Sequence, residues 1–203
     1  LRKTQLMFLF FIKLFAASTI GQIPFTLAIL GKLWMDNQGS PEELGNAMGS
    51  LDQATLMGVL DKNLTLFLLL LSFVFALGGV FLAVKYLHKQ KMKDIITTRK
   101  KFDWGRVWIA FIMITIYTIG TTLLSYYIAP EEFEVTFDLI PFLILCVVAI
   151  LFVPIQTSVE EFVFRGYLMQ GIGVVAKNRW LPLIVTSVIF GMLHIANPEV
   201  DQL

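Results

Sequence analysis

The chain has 203 residues, of which 57% are hydrophobic and only 15% charged, and its mean hydropathy is +0.75. These values exclude an ordinary soluble domain and place the chain among helical membrane proteins. The formal net charge of +1 excludes little, because the charges are segregated along the chain. A single cysteine, Cys146, rules out a disulfide framework or a four-thiolate metal site.

About 20 consecutive apolar residues carry a helix across the hydrocarbon core. The first candidate span, about Leu6 to Leu30, is interrupted by Lys13 and Gln22. It is too long for a signal peptide, lacks a small-residue cleavage pattern, and is expected to remain as a mature anchor. The segment from Asn37 to Asn63 is long for a simple connection. Within it SPEEL predicts a short surface helix with Ser40 as cap, Pro41 in the first turn and Glu42 and Glu43 favourable to the helix dipole. The second span, Leu64 to Leu87, is nearly pure apolar.

The stretch His88 to Arg106 follows, with Lys89, Lys91, Lys93, Arg99, Lys100, Lys101 and Arg106 against only Asp94 and Asp103. Its position between two spans points to topology and contact with anionic lipid rather than to nucleic acid. His88, among these lysines, is expected to be solvated. The third span is Val107 to Ala129, the fourth about Leu139 to Gln170, and the fifth Trp180 to Ala196. The linkers on the other side are acidic, with Asp36, Glu42, Glu43, Asp52 and Asp61 in one and Glu131, Glu132, Glu134 and Asp138 in the other. Lys177 and Arg179 return the basic character after the fourth span. The positive-inside rule then places the N-terminus in the cytoplasm and residues 37–63 outside. The expected fold is an all-α, polytopic transmembrane bundle of about five visible spans. It forms one membrane-embedded domain over residues 1–203, in the cytoplasmic (inner) membrane. The chain begins with Leu1 rather than Met and ends just after an apolar segment, so further residues are expected at both ends.

Chemistry is concentrated in the fourth span, where Glu160, Glu161 and Arg165 interrupt an apolar run. One charged side chain near a bilayer centre costs roughly 2.5–3.5 kcal/mol, and three on the order of 10 kcal/mol before pairing. Such clusters face a bundle interior or a wet cavity. Glu161 and Arg165 share a helical face in the favourable order of acid before base. Glu160 is rotated about 100° away and shares a stripe with Gln156 and Phe164. One carboxylate is thus free to accept a proton, and removal from water disfavours its charged form, as suits a general base at neutral pH. Pro154 is expected to bend the span. A Glu–Arg pair that merely locks two helices accounts for Glu161 and Arg165 but leaves Glu160 unexplained. In the fifth span Phe190 and His194 share a face, and Asn197 either orients the histidine or stops the helix before Pro198.

The pattern Glu160-Glu161-x-x-x-Arg165, followed in the next span by Phe190-x-x-x-His194, resembles the CAAX-processing and bacteriocin-processing (CPBP, or Abi) intramembrane proteases. The extended forms EEFVFRGYL and FGMLHIANP look like those of bacterial members, and the resemblance covers about Pro154 to Pro198. It implies a helical bundle with a polar cavity and a water, activated by Glu160 and His194, that attacks a peptide carbonyl. Glu161 and Arg165 are implied as the supporting pair. The family pattern continues with a further histidine and an Asn or Asp in a later span, and this chain ends before them. It is therefore expected to be a fragment.

Two mechanisms fit. In one, Glu160, His194 and that further histidine bind zinc. In the preferred one, Glu160 and His194 polarise the water without metal, and HExxH is absent from the sequence. The implied partners are a peptide or protein substrate at the membrane and the lipid bilayer, with no nucleic acid. The alternative is a non-catalytic scaffold or immunity protein that binds a partner membrane protein. A transporter with Glu160 as proton relay is disfavoured because no inverted repeat is visible.

Overall fold

The computed structural model describes residues 3–37, 39–50, 53–96, 103–134, 136–176 and 178–195. Among them there is no strand. The helices are α1 (Lys3–Asp36), α2 (Pro41–Ser50), α3 (Gln53–Gly58), α4 (Lys62–Leu82), α5 (Met92–Ile96), α6 (Trp104–Ile128), α7 (Leu139–Glu161), α8 (Met169–Ala176) and α9 (Trp180–Ile195). A π-helical turn, Ala83–Leu87, prolongs α4, and a longer one, Phe162–Leu168, joins α7 to α8.

Among the described residues, four stretches are long and apolar enough to cross a membrane: Phe8–Asp36, Lys62–Leu87, Trp104–Ile128 and the composite Leu139–Ala176. The fifth expected span is a shorter apolar helix over its described residues, Trp180–Ile195. The chain is thus a multi-pass helical membrane protein. α6 buries none of its residues and is apolar all round, as hydrocarbon surroundings allow and water does not.

Aspartates in the connecting segments begin three of the helices. Asp61 accepts from the backbone N–H groups of Asn63 and Leu64 (3.0 and 3.2 Å). Asp103 accepts from that of Arg106 (3.4 Å) and Asp138 from that of Ile140 (3.3 Å). Each satisfies donors that a helix N-terminus leaves orphaned. The surface helix predicted from SPEEL is α2, with Ser40 Oγ accepting from the N–H of Glu43 at 3.4 Å.

α4 is the central element, packed between α1 and α7. Close approach of α1 and α4 rests on small residues. A Cβ on Gly21 would lie 2.8 Å from both Cα and the carbonyl oxygen of Ser72, and one on Gly79 would lie 2.6 Å from Ala17 Cβ. Lipid gives apolar side chains no reason to leave it, so such van der Waals fit carries much of the association. At one end Phe25, Ile29, Leu33 and Leu68 form a cluster beneath Leu44 of α2 and Leu56 of α3. At the other, Phe10, Val80, Val84, Val159 and Val163 pack together. Val159 and Val163 flank the acid pair, so this second cluster anchors the segment that carries it.

His88 departs from the sequence expectation. It is half-buried rather than solvated, because the π-helical turn at the end of α4 delivers it to Tyr167. Tyr167 stacks on Phe10, itself 1% exposed, with ring centroids 3.6 Å apart. Its hydroxyl donates to the Leu6 carbonyl at 3.3 Å and lies 3.0 Å from His88 Nε2. With its hydrogen so committed, Tyr167 accepts from His88 Nε2–H. Burial lowers the pKa of His88 below its ordinary value of 6.5, so folding favours the neutral ring. That contribution to stability is complete above pH 6.5 and is lost as pH falls through the folded-state pKa. Detergent-solubilised protein is expected to melt at lower temperature at pH 5.5 than at pH 7.5, with the difference reduced in His88→Gln. An undiminished difference in that variant would assign the effect elsewhere.

Candidate functional site

The composite helix from Leu139 to Ala176 has 38 residues, about 57 Å at 1.5 Å per residue. That is nearly twice the roughly 30 Å hydrocarbon core. The stretch before Glu160, Leu139–Val159, spans on its own about 31 Å. The charged cluster therefore comes where the helix can reach the headgroup region, and its insertion cost falls below that of a mid-bilayer site. α7 runs unbroken through Pro154. The hydroxyl of Ser158 donates to the Pro154 carbonyl at 2.6 Å, and that of Thr157 to the Val153 carbonyl at 3.1 Å. The backbone departs from regular α-helix just after the acid pair. There the π-helical turn widens the backbone and carries Arg165, as such insertions often do beside functional groups.

The two carboxylates have different partners. Gln156, one turn before Glu160, donates from Nε2 to Glu160 Oε1 at 3.1 Å, and both residues are half-buried. Glu161 Oε2 lies 3.2 Å from an Arg165 guanidinium nitrogen, with side chains 51% and 70% exposed. This exposed pair contributes little to stability, but it neutralises Glu161 and leaves Glu160 as the uncompensated acid.

Asn178 lies just before α9, and its side-chain oxygen accepts from the N–H of Trp180 at 2.9 Å. α9 packs on α8, where Pro182 lies beside Gly173, and on the π-helical turn. Phe164 meets Phe190 edge-to-face, with centroids 5.1 Å apart and planes at 83°, the arrangement ring quadrupoles favour. This contact closes one side of a cleft of about 410 Å³ lined by Glu160, Glu161, Arg165, Thr186, Phe190 and Gly191, among others.

His194 stands one turn beyond Phe190, and its ring lies against that phenyl group at 4.3 Å. Its Nδ1 is 2.8 Å from the Phe190 carbonyl oxygen. A carbonyl only accepts, so Nδ1 carries the hydrogen and Nε2 of the neutral ring keeps its lone pair. Four of the sequence-predicted residues thus share the cleft or its rim: Glu160, Glu161, Arg165 and Phe190. His194 lies behind Phe190 rather than among the lining residues, and no hydrogen bond joins it to Glu160. Asn197 and Pro198 lie outside the described residues. The bond from Gln156 was not anticipated, although its spacing of four before Glu160 is a recognisable signal for it.

Among the described residues no three His, Cys, Asp or Glu side chains group closely enough to hold a metal ion. The donors in hand do not by themselves fit zinc, which takes three or four protein ligands.

The helices and the acid-rich cleft define a multi-pass membrane protein with a polar site at the end of an apolar helix. Residues 139–202 match the family model described as type II CAAX prenyl endopeptidase Rce1-like. The segment that carries both motifs is therefore similar to that family, as the resemblance implied. The chain is also 32% identical over 196 residues to an uncharacterised protein, YyaK, of Bacillus subtilis strain 168, covering 96% of this chain and 62% of YyaK. It thus spans about three fifths of that relative's length. No solved structure matches the chain.

Proposed function

We propose that the protein is an intramembrane endopeptidase that hydrolyses a peptide bond of a membrane-associated peptide or protein. The observation that carries this is the division of labour between adjacent carboxylates: Glu161 is paired with Arg165, while Glu160 is held only by the Gln156 amide. With Oε1 engaged, Oε2 of Glu160 is left to take a proton from a water in the cleft. The water oxygen then bonds to the peptide carbonyl carbon, and the proton passes from Glu160 to the departing amine as the C–N bond breaks. His194, with Nε2 as acceptor, orients that water, and rotation of Phe190 gives it access to the cleft. Glu161 and Arg165 fix the π-helical turn. The basic segment 88–106 faces the cytoplasm, the acidic loop 37–63 faces outward, and the host membrane is the bacterial inner membrane.

The separation of His194 from the cleft favours a second reading, a non-catalytic scaffold or immunity protein that binds a partner membrane protein. Terminal-peptide mass spectrometry of membranes carrying the wild type or Glu160→Gln distinguishes the two. Fragments present only with the wild type identify a protease and its cut sites. Identical profiles alongside a phenotype of gene deletion identify a scaffold.

Metal dependence is tested separately. Activity is expected to stay within about twofold after extended chelation, since base catalysis by Glu160 needs no ion. Complete loss restored by zinc would instead assign Glu160 and His194 as ligands.

A further inference from the structure

Away from the acid cluster, α1 and α4 flank an open groove of about 720 Å³. Its walls are Ala16, Ala17 and Ile20 of α1 and Val74, Phe75, Gly78, Gly79 and Leu82 of α4, with Lys13 and Tyr86 at one end. From Val74 to Tyr86 the wall extends twelve residues, about 18 Å, close to the half-thickness of the roughly 30 Å hydrocarbon core. A volume of 720 Å³ over that length gives a mean section of about 40 Å². The groove is open along its length and apolar apart from its one charged end. It is suited to extended hydrocarbon chain.

The charge lies at one end only. Lys13 falls five residues inside the span that begins at Phe8. No hydrogen bond or ion pair engages it among the described residues. A lysine so placed extends toward the headgroups and there lacks an anion. Lys85 adds a second cation beside the same opening, held over the rings of Phe81 and Tyr86 at 5.6 and 5.4 Å. Lys89 and Lys91 follow shortly after in the chain.

We propose that this groove is a binding site for one anionic phospholipid of the adjoining leaflet, its acyl chain along α4 and its phosphate between Lys13 and Lys85. Gly79 sets the floor by letting α1 approach, whereas a Cβ on Gly78 would meet nothing within 4 Å. Gly78 therefore leaves open the space that the chain occupies, and a larger residue there fills the groove without disturbing the helix pair.

The test is native mass spectrometry of the full chain, purified in mild detergent and titrated with phosphatidylglycerol or phosphatidylcholine. The wild type is expected to retain one phosphatidylglycerol and to prefer it at least tenfold over phosphatidylcholine. Lys13→Gln lowers that retention at least fivefold and Lys13→Arg preserves it. Gly78→Leu abolishes retention with an unchanged melting temperature, and Gly78→Ala weakens it partially. Lys62→Gln, at the far end of α4, has no effect. Equal retention of the two lipids, or undiminished retention by Gly78→Leu, overturns the proposal. So does a dimer lost in Gly78→Leu with no lipid bound, which would assign the groove to a second copy of the chain.

Discussion

Glu160→Gln is expected to lower the rate of peptide hydrolysis by roughly 10²–10⁴-fold, the usual contribution of a positioned general base. The substitution removes the proton acceptor and little else. The glutamine carbonyl still accepts from Gln156, the side-chain volume is unchanged, and neighbouring Val159 and Val163 stay in their cluster with Phe10 and Val84. Substrate binding and melting temperature should therefore match the wild type, with the whole deficit in kcat. Glu161→Gln breaks only an exposed pair with Arg165 and is expected to cost far less. Gln156→Leu provides the companion test, because Gln156 positions the base and touches no reacting atom. Loss of one hydrogen bond to a charged group, about 1.5 kcal/mol, corresponds to a kcat roughly tenfold lower with KM unchanged. Equal, small effects of Glu160→Gln and Glu161→Gln would remove Glu160 from the role of base.

Gly21→Leu is expected to produce the largest loss of stability. Its Cβ would lie 2.8 Å from two backbone atoms of Ser72, and backbone, unlike the tip of a flexible side chain, yields only if the whole helix shifts. Overpacking of this kind costs typically 1–3 kcal/mol, and we expect the upper part of that range. In a chain of this size it corresponds to a melting temperature lower by roughly 4–12 °C. Gly78→Leu supplies the contrast, since open space surrounds that position. The two glycines lie on the same helix pair, so a difference between them isolates contact geometry from helix propensity. Unchanged melting of Gly21→Leu would mean that α1 and α4 do not close on each other as described.

Both predictions rest on features that local pattern reveals unequally. Apolar runs of about 20 residues and alternating loop charge depend only on composition along the chain, so the helical membrane class and the four long spans follow from the sequence. The spacing of Glu161 and Arg165 likewise foretells their pairing, because residues four apart on a helix are neighbours whatever surrounds them. Ser40 at the start of α2 follows from the same local rules.

Nothing local predicts that Phe10, Tyr167 and His88 meet, since they come from three segments as much as 157 residues apart (167 − 10). His88 sits among lysines and reads as solvated, yet the π-helical turn that ends α4 rotates it onto Tyr167. The π-helical turn at Phe162–Leu168, which packs on α9, is likewise not foretold by spacing. The same holds for His194, whose motif places it one turn after Phe190 but cannot say which of the two faces Glu160. By itself the sequence determined which residues enter the membrane as helices and which of them carry charge, because those properties depend on near neighbours in the chain. Only the tertiary structure decided where the histidines went and where a groove remained open, because each depends on surfaces brought together from distant segments.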